Sequence, residues 1–190
     1  MAPLGLGMGI IWDEFPGGVP LDAFKGTFGS TQSGIAGFTV TPGWSGVTKA
    51  NGDVIRITYD IYLEGTWAET LFSDSINIST LVDGEATSGT PVFANGAGGF
   101  PSVDKSVTSD GNYGNTFNII SSSGDEPSAG SSMYFRNMVV TITSSGGSTG
   151  DKFNKTFDFT AAGGSDLALF ADFSGNEGST TRSVGNAYPG

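Results

Sequence analysis

Cysteine and histidine are both absent from the 190-residue sequence. Without cysteine, the chain can form neither disulfide bridges nor thiolate metal sites. Without histidine, it lacks the commonest general base, the commonest transition-metal ligand and the usual pH switch. A Ser-His-Asp triad, a Cys-His pair and a His-Glu-x-x-His zinc site are therefore all excluded.

Positive charge is also scarce. Lys and Arg together number 8, against 19 Asp and Glu residues, which gives a net charge of −11. So few cations cannot assemble the basic surface by which proteins bind nucleic acid or anionic lipid. We therefore expect neither nucleic acid nor a membrane as a partner.

Carboxylate pairs are a catalytic device that this composition still allows, because two acidic groups suffice for glycoside hydrolysis. Asp60, Glu64, Glu69 and Asp74 lie in one strand-rich region of the sequence. Such an enzyme also needs an apolar pocket around one carboxyl group and a deep cleft, and the sequence indicates neither. Most of the acidic residues are expected on a solvated face, so we predict a protein that is not an enzyme and has no catalytic residue.

Two oxygen-rich loops leave calcium open as a ligand. They are "SGDEP", which contains Asp125 and Glu126, and "SDGNYGN", which contains Asp110, Asn112 and Asn115. Ca²⁺ binds six to eight oxygen ligands from loops of this kind. Neither loop has the EF-hand spacing, and Asp and Asn are common in turns for conformational reasons alone. We predict no bound cofactor, with calcium as the alternative.

The pattern of short apolar runs between Gly- and Ser-rich turns is typical of an all-β protein. The clearest run is "DVIRITYDIYLEG", residues 53–65, in which apolar and polar residues alternate as in a half-buried strand. We predict an antiparallel two-sheet β-sandwich of jelly-roll type. Further strands are expected at 37–41, 72–82, 91–94, 103–108, 116–121, 133–143 with a bulge near Arg136 and Asn137, 152–160 and, as a strand or a short helix, 166–173.

The sequence predicts three segments: an N-terminal arm with its lead-in at residues 1–34, a sandwich domain at 35–173, and a mobile tail at 174–190. The tail is rich in Gly, Ser, Asn and Thr and offers little to bury, which is the basis for expecting it to be mobile.

The arm begins "MAPLGLGMGIIWDEF" and contains a mostly apolar run from Leu4 to Trp12. The run lacks the positive region and cleavage site of a signal peptide, and it is too short for a membrane span of about 20 residues. It could form a first strand on the chain's own sheet, or it could be an arm that docks on a partner. The docking interpretation assigns partner contacts to Leu4, Leu6, Met8, Ile10, Ile11 and Trp12.

Aromatic side chains are candidate stacking platforms for sugar rings. We select Trp44, Tyr62 and Trp67, of which Tyr62 is placed on the outward face of strand 53–65 by its position in the alternation. The competing interpretation is that these rings pack in the core or at its rim, as aromatic residues of sandwiches usually do.

Residues 37–143 contain "DVIRITYDIYLEGT", then a region rich in Gly and Asn, then "MYFRNMVVTIT". This order resembles the layout of carbohydrate-binding jelly-roll modules. The resemblance implies a glycan-binding β-sandwich, either free-standing or at the tip of a fibre. The family has acidic or Asn residues where this chain has Arg136 and Asn137, so the resemblance does not carry a calcium site over.

The opening "MAPLGLGMGI" resembles the beginnings of structural proteins of tailed bacteriophages. The acidic, Gly/Ser/Thr-rich composition is also similar to that of phage decoration and fibre proteins. This resemblance implies a virion structural protein, namely a capsid decoration (cement) protein or an appendage subunit on the surface of the particle. Such a protein would be a homo-oligomer bound to other virion proteins. The glycan-binding module is the alternative function.

Overall fold

The computed structural model describes residues 18–68, 75–82, 85–86, 90–93, 95–97, 102–108, 111–144 and 151–190. Within these ranges the chain forms fifteen β-strands and one short helix. These elements are β1 (Ala23–Phe28), β2 (Gly37–Val40), β3 (Thr48–Lys49), β4 (Val54–Glu64), β5 (Ser75–Val82), β6 (Glu85–Ala86), β7 (Thr90–Phe93), β8 (Gly96–Ala97), β9 (Ser102–Ser106), β10 (Gly111–Asn112), β11 (Phe117–Ser121), β12 (Ser132–Thr143), β13 (Asp151–Thr156), α1 (Gly164–Leu167), β14 (Phe170–Asp172) and β15 (Thr180–Asn186).

Two large antiparallel sheets contain nearly all of these strands. The seven-stranded sheet has the order β15-β1-β12-β4-β8, with β13 also paired to β12 and β9 also paired to β4. The six-stranded sheet has the order β14-β2-β11-β5-β6, with β7 also paired to β5, while β3 and β10 form a separate small ribbon. The chain is thus an all-β antiparallel sandwich, as the sequence predicts. The finer assignment to a jelly roll stays a prediction.

The core lies between the two sheets and is rich in aromatic rings. Phe24 of β1 lies edge to face against Phe38 of β2, with ring centroids 5.4 Å apart, and Phe38 contacts Phe135 of β12 in the same manner at 6.3 Å. Edge-to-face contacts of this kind stabilise a core beyond the area that they bury. The predicted alternation of β4 is confirmed, because its inward side chains are all at most 1% exposed: Ile55, Ile57, Tyr59, Ile61 and Leu63.

Strand β12 contains the bulge that the sequence predicts near Arg136 and Asn137. The register with β4 shifts between Arg136 and Val139, and Asn137 adopts a left-handed conformation with φ of 52°. Before the bulge Phe135 is buried, and after it Met138 and Val140 are buried. The bulge inserts one extra residue, so apolar residues of odd and even number reach the same core.

Strands near both ends of the described residues belong to the seven-stranded sheet. Strand β1 lies within the expected lead-in 1–34, and β15 lies within the expected mobile tail 174–190, yet the two strands pair antiparallel in the seven-stranded sheet. No side chain of β15 is fully buried. Its attachment rests mainly on backbone hydrogen bonds to β1, so the strand leaves no hydrophobic pattern in the sequence.

The predicted strand-or-helix region 166–173 contains both elements in succession, α1 and then β14. The carboxylate of Asp166 in α1 accepts hydrogen bonds from Lys155 Nζ at 2.6 Å and from the backbone N–H of Asp158 at 2.7 Å. These two bonds tie the short helix to β13 and to the segment that follows it. In the part of the chain that the structure describes, no helix has the length and apolar character needed to cross a membrane.

Candidate functional site

The outer face of the seven-stranded sheet bears a group of aromatic and charged side chains, which we call the outer-face cluster. It draws on β1, β4, β12 and the segment after β15. Antiparallel pairing places Tyr134 opposite Tyr62 and Arg136 opposite Asp60, because the outward positions of the two long strands coincide in register. The members of the cluster are Lys25, Asp60, Tyr62, Glu64, Tyr134, Arg136 and Tyr188.

One end of the cluster is a lysine–glutamate pair. Lys25 Nζ lies 3.0 Å from Glu64 Oε2, and the Tyr134 hydroxyl donates to the same oxygen at 2.8 Å. The hydrogen bond from Lys25 is the main reason why the pKa of Glu64 is lowered; partial burial opposes the shift and Tyr134 supports it. Lys25 Nζ also lies over the ring of Tyr134, 4.8 Å from its centroid. Glu64 is therefore held as a carboxylate, and its Oε2 accepts hydrogen bonds from both Lys25 and Tyr134.

Asp60 anchors the middle of the cluster. Its Oδ2 accepts hydrogen bonds from Arg136 Nε at 2.9 Å and from the Asn137 amide at 2.8 Å. The β12 bulge makes this possible, because it turns Asn137 toward the same carboxylate as Arg136. The sequence places Asp60 on the solvated face of β4, but the residue is only 5% exposed. Its neighbours on the outer face cover it, which alternation alone cannot reveal.

Tyr188 covers the other end of the cluster. Its ring centroid is 6.2 Å from that of Tyr62, and the guanidinium carbon of Arg136 lies 4.0 Å from the ring centroid of Tyr188. The residue is 5% exposed, and its hydroxyl is buried without a hydrogen-bond partner among the described residues. Burial, followed by the nearby charge of Asp60, raises the pKa of Tyr188, so its hydroxyl stays protonated.

Charge is balanced in the cluster although the whole chain carries −11. Lys25 and Arg136 match Glu64 and Asp60 in two ion pairs. The arrangement can accept and donate hydrogen bonds beside aromatic rings, and its groups are held by one another. Each charged group of the cluster is therefore already paired with another member.

The three predicted stacking residues divide between the core and the outer face. Trp44 is fully buried, its indole N–H donates to the Gly114 carbonyl, and its ring contacts Tyr113 at 6.0 Å. Trp67 is 6% exposed and lies edge to face against Phe28 at 5.9 Å. Neither indole offers a face to a sugar in this arrangement, because both seal the sandwich core. Tyr62 does lie on the outer face, as its position in the alternation predicts, and is half-buried beside Tyr134.

The predicted docking residues Leu4, Leu6, Met8, Ile10, Ile11 and Trp12 all lie outside the described residues. The described chain begins just beyond them, and there two apolar side chains are exposed to solvent. Val19 is 64% exposed and Leu21 is 59% exposed. Val19 and Leu21 thus form an exposed apolar lead-in shortly before β1.

The calcium alternative concerns two loops. Asp110 lies outside the described residues, and Asp125 is 1% exposed beside a partly buried Glu126. Within the described ranges, no three acidic side chains come together in a group that could hold a metal ion.

Sequence reasoning missed most of the outer-face cluster. Tyr134 and Arg136 join Tyr62 through a pairing between strands that are distant in the sequence. Tyr188 had a local signal, since it is a large aromatic residue in a stretch otherwise rich in small polar residues.

No protein-family model, no curated protein and no solved structure matches this chain.

Proposed function

We propose that the chain is a non-enzymatic virion structural protein, a capsid decoration or appendage subunit that associates with copies of itself and with other virion proteins. The observation that carries the proposal is the exposed apolar lead-in, Val19 and Leu21. Adjacent exposed apolar residues are a mark of interaction surfaces, whereas isolated ones are ordinary. Here two lie within three positions, and residues 13–18 separate them from the apolar run from Leu4 to Trp12.

The rest of the described surface supports this choice. Of the large apolar side chains in the described part of the chain, Val19, Leu21 and Ile35 are the exposed ones. Two of these three exposed apolar side chains, Val19 and Leu21, therefore lie shortly before β1, where the predicted arm would join the sandwich. An arm that packed on its own sheet would be expected to cover this lead-in, whereas an arm that leaves the sandwich would leave it open for a partner.

The double substitution Val19→Ser with Leu21→Ser tests this surface. We expect the melting temperature to change little, because surface substitutions usually alter stability by about 0.5 kcal/mol or less. Self-association, measured by analytical ultracentrifugation, and co-sedimentation with phage particles of the native source should both weaken by about tenfold or more.

Ile35→Ser is the matched control, because Ile35 is also exposed, at 40%, but lies beyond β1. It should leave both associations unchanged. If the unmodified protein is monomeric at high concentration and binds no particles or capsid shells, the proposal is wrong.

A second candidate function, glycan binding, is favoured by the outer-face cluster. Tyr62 is half-buried there, between two further tyrosines and two balanced ion pairs. Ligand sites commonly combine aromatic surface with a few fixed polar groups in this way. The chain would then act as a carbohydrate-binding module, alone or at the tip of an appendage.

A further inference from the structure

The segment after β15, residues 187–190, is attached to the outer face through one side chain. Tyr188 is 5% exposed, whereas Ala187, Pro189 and Gly190 are all exposed. The segment begins directly after Gly185 and Asn186, and Gly185 has φ of 74°, a conformation that glycine adopts readily. Within residues 187–190, Tyr188 is therefore the one buried side chain, and we call it the plug.

The recess that Tyr188 fills has both aromatic and charged walls. Ala23, Tyr62 and Tyr134 form its apolar part. The Arg136 guanidinium covers the ring of Tyr188 at 4.0 Å, and the Asp60 carboxylate that holds Arg136 lies close enough to influence the pKa of the phenol. Without Tyr188, the ring of Tyr62 and the Arg136–Asp60 pair would face the same space.

Tyr188 fits this recess in shape but not in hydrogen bonding. Its hydroxyl is buried and finds no partner in the part of the chain that the structure describes. Buried hydroxyl groups are nearly always hydrogen-bonded, and an unpaired one loses the hydration that it had in water. A ligand that places its hydroxyl groups against Asp60 and Arg136 would match the recess better than the plug does.

We propose that this recess is a glycan subsite that the chain's own Tyr188 keeps closed. The ligand is an uncharged pyranose of an oligosaccharide, whose C–H face packs on the ring of Tyr62. Its hydroxyl groups donate to the Asp60 carboxylate and accept from the Arg136 guanidinium. An uncharged ligand is favoured because the two ion pairs of the cluster are already balanced. This inference rests on the second candidate function, glycan binding.

The first test compares the unmodified protein with Tyr188→Ala by isothermal titration calorimetry. The probes are soluble β-linked gluco-, galacto- and manno-oligosaccharides and sulfated counterparts. We expect at least tenfold tighter binding of one uncharged oligosaccharide to Tyr188→Ala, and loss of that binding when Tyr62→Ala is added. Pro189→Ala, an exposed neighbour in the same segment, is the matched control and should bind like the unmodified protein. A preference for the sulfated probes would overturn the assignment of an uncharged ligand.

A second variant, Tyr188→Phe, keeps the proposal testable even if Tyr188→Ala fails to fold. Phenylalanine retains the shape of the plug and removes the unpaired hydroxyl, so the melting temperature should rise and glycan binding should weaken. A fall in melting temperature would show that the hydroxyl has a hydrogen-bond partner, and it would overturn the role of Tyr188 as a plug.

Equal glycan affinity of the unmodified protein and Tyr188→Ala would leave glycan binding standing but would exclude the role of Tyr188 as a plug. No binding of any oligosaccharide by any folded variant would remove the glycan function itself.

Discussion

Replacing Asp53 with alanine should lower the free energy of unfolding by about 3–5 kcal/mol, the range observed when one partner of a buried ion pair is removed. Asp53 is 1% exposed. Its Oδ2 accepts hydrogen bonds from Lys152 Nζ at 2.7 Å, the Tyr113 hydroxyl at 2.9 Å and the backbone N–H of Ala50 at 2.9 Å. These partners belong to β13, to the residue after β10 and to the turn before β4, so the variant would loosen three segments at once.

The Lys152 side chain is 25% exposed and can recover some hydration in the variant, so a loss near the lower end of this range is expected. Urea unfolding followed by fluorescence measures it. Asp151→Ala is the matched control: it removes a carboxylate from an exposed position next to Lys152 and should change the free energy of unfolding by about 0.5 kcal/mol or less. A loss below about 1 kcal/mol for Asp53→Ala would contradict the role assigned to this carboxylate.

The pH dependence of Asp53→Asn tests the physical cause. Burial alone would raise the pKa of Asp53, but the bonds from Lys152, Ala50 and Tyr113 outweigh it and hold the pKa below its ordinary value. Because the folded pKa is the lower one, the contribution to stability is complete above the unfolded pKa of about 3.9 and disappears as pH falls through the folded value. The unmodified protein should therefore lose more stability than Asp53→Asn between pH 6 and pH 3. Equal losses would attribute the acid sensitivity to other groups.

Local patterns in the sequence predict the strands of this protein well where one face of a strand is buried. The alternation in β4 identifies both its length and its inward face, and the broken alternation in β12 identifies the bulge at Arg136 and Asn137. Both signals exist because a side chain on a strand can point only to one face or the other. Edge strands such as β15 bury little side-chain surface, so their sequences show no alternation of apolar and polar residues.

Pairings between distant segments could not be read from the sequence. Asn51 and Gly52 form a turn before β4, and Gly52 has φ of 89°. The strand that precedes this turn is β3, which pairs with β10 rather than with β4. The same limitation concealed the outer-face cluster, because the meeting of Tyr62 and Tyr134 depends on the register of β4 and β12. Alternation tells which face Asp60 occupies, but only the tertiary fold tells what covers it.

The position of an aromatic residue relative to the sheets was equally hidden. Trp44 and Trp67 follow strands and so could lie either over the ends of the sandwich or out in solvent. They are buried, and each indole N–H donates to a backbone carbonyl, of Gly114 and of Glu64 respectively. A buried indole N–H requires a partner. Glu64, at the end of β4, is a local partner for Trp67, whereas Gly114 follows β10 and meets Trp44 only in the tertiary fold.

Deleting residues 2–12 should leave the fold and its melting temperature nearly intact while weakening assembly by on the order of a hundredfold. The described core is formed by residues from Phe24 onward, and both large sheets are paired within the described chain. Burying a Leu or Met side chain stabilises by about 1.5–3 kcal/mol, but ordering a residue costs about 1–2 kcal/mol. Burying the six apolar side chains on a partner can offset the cost of ordering this Gly-rich run, whereas a run left free in solution gains nothing from being ordered.

A hundredfold change in Kd corresponds to about 3 kcal/mol of association free energy, and sedimentation equilibrium can measure it. Leu6→Ser with Ile10→Ser is the companion variant, because it keeps the chain length and removes only apolar contacts. It should weaken assembly in the same direction without altering the melting temperature. Deletion of Ala2 and Pro3 alone should change neither the assembly nor the melting temperature. If removal of residues 2–12 instead unfolds the isolated subunit, the run from Leu4 to Trp12 is a core strand of its own sandwich, and the partner must bind elsewhere.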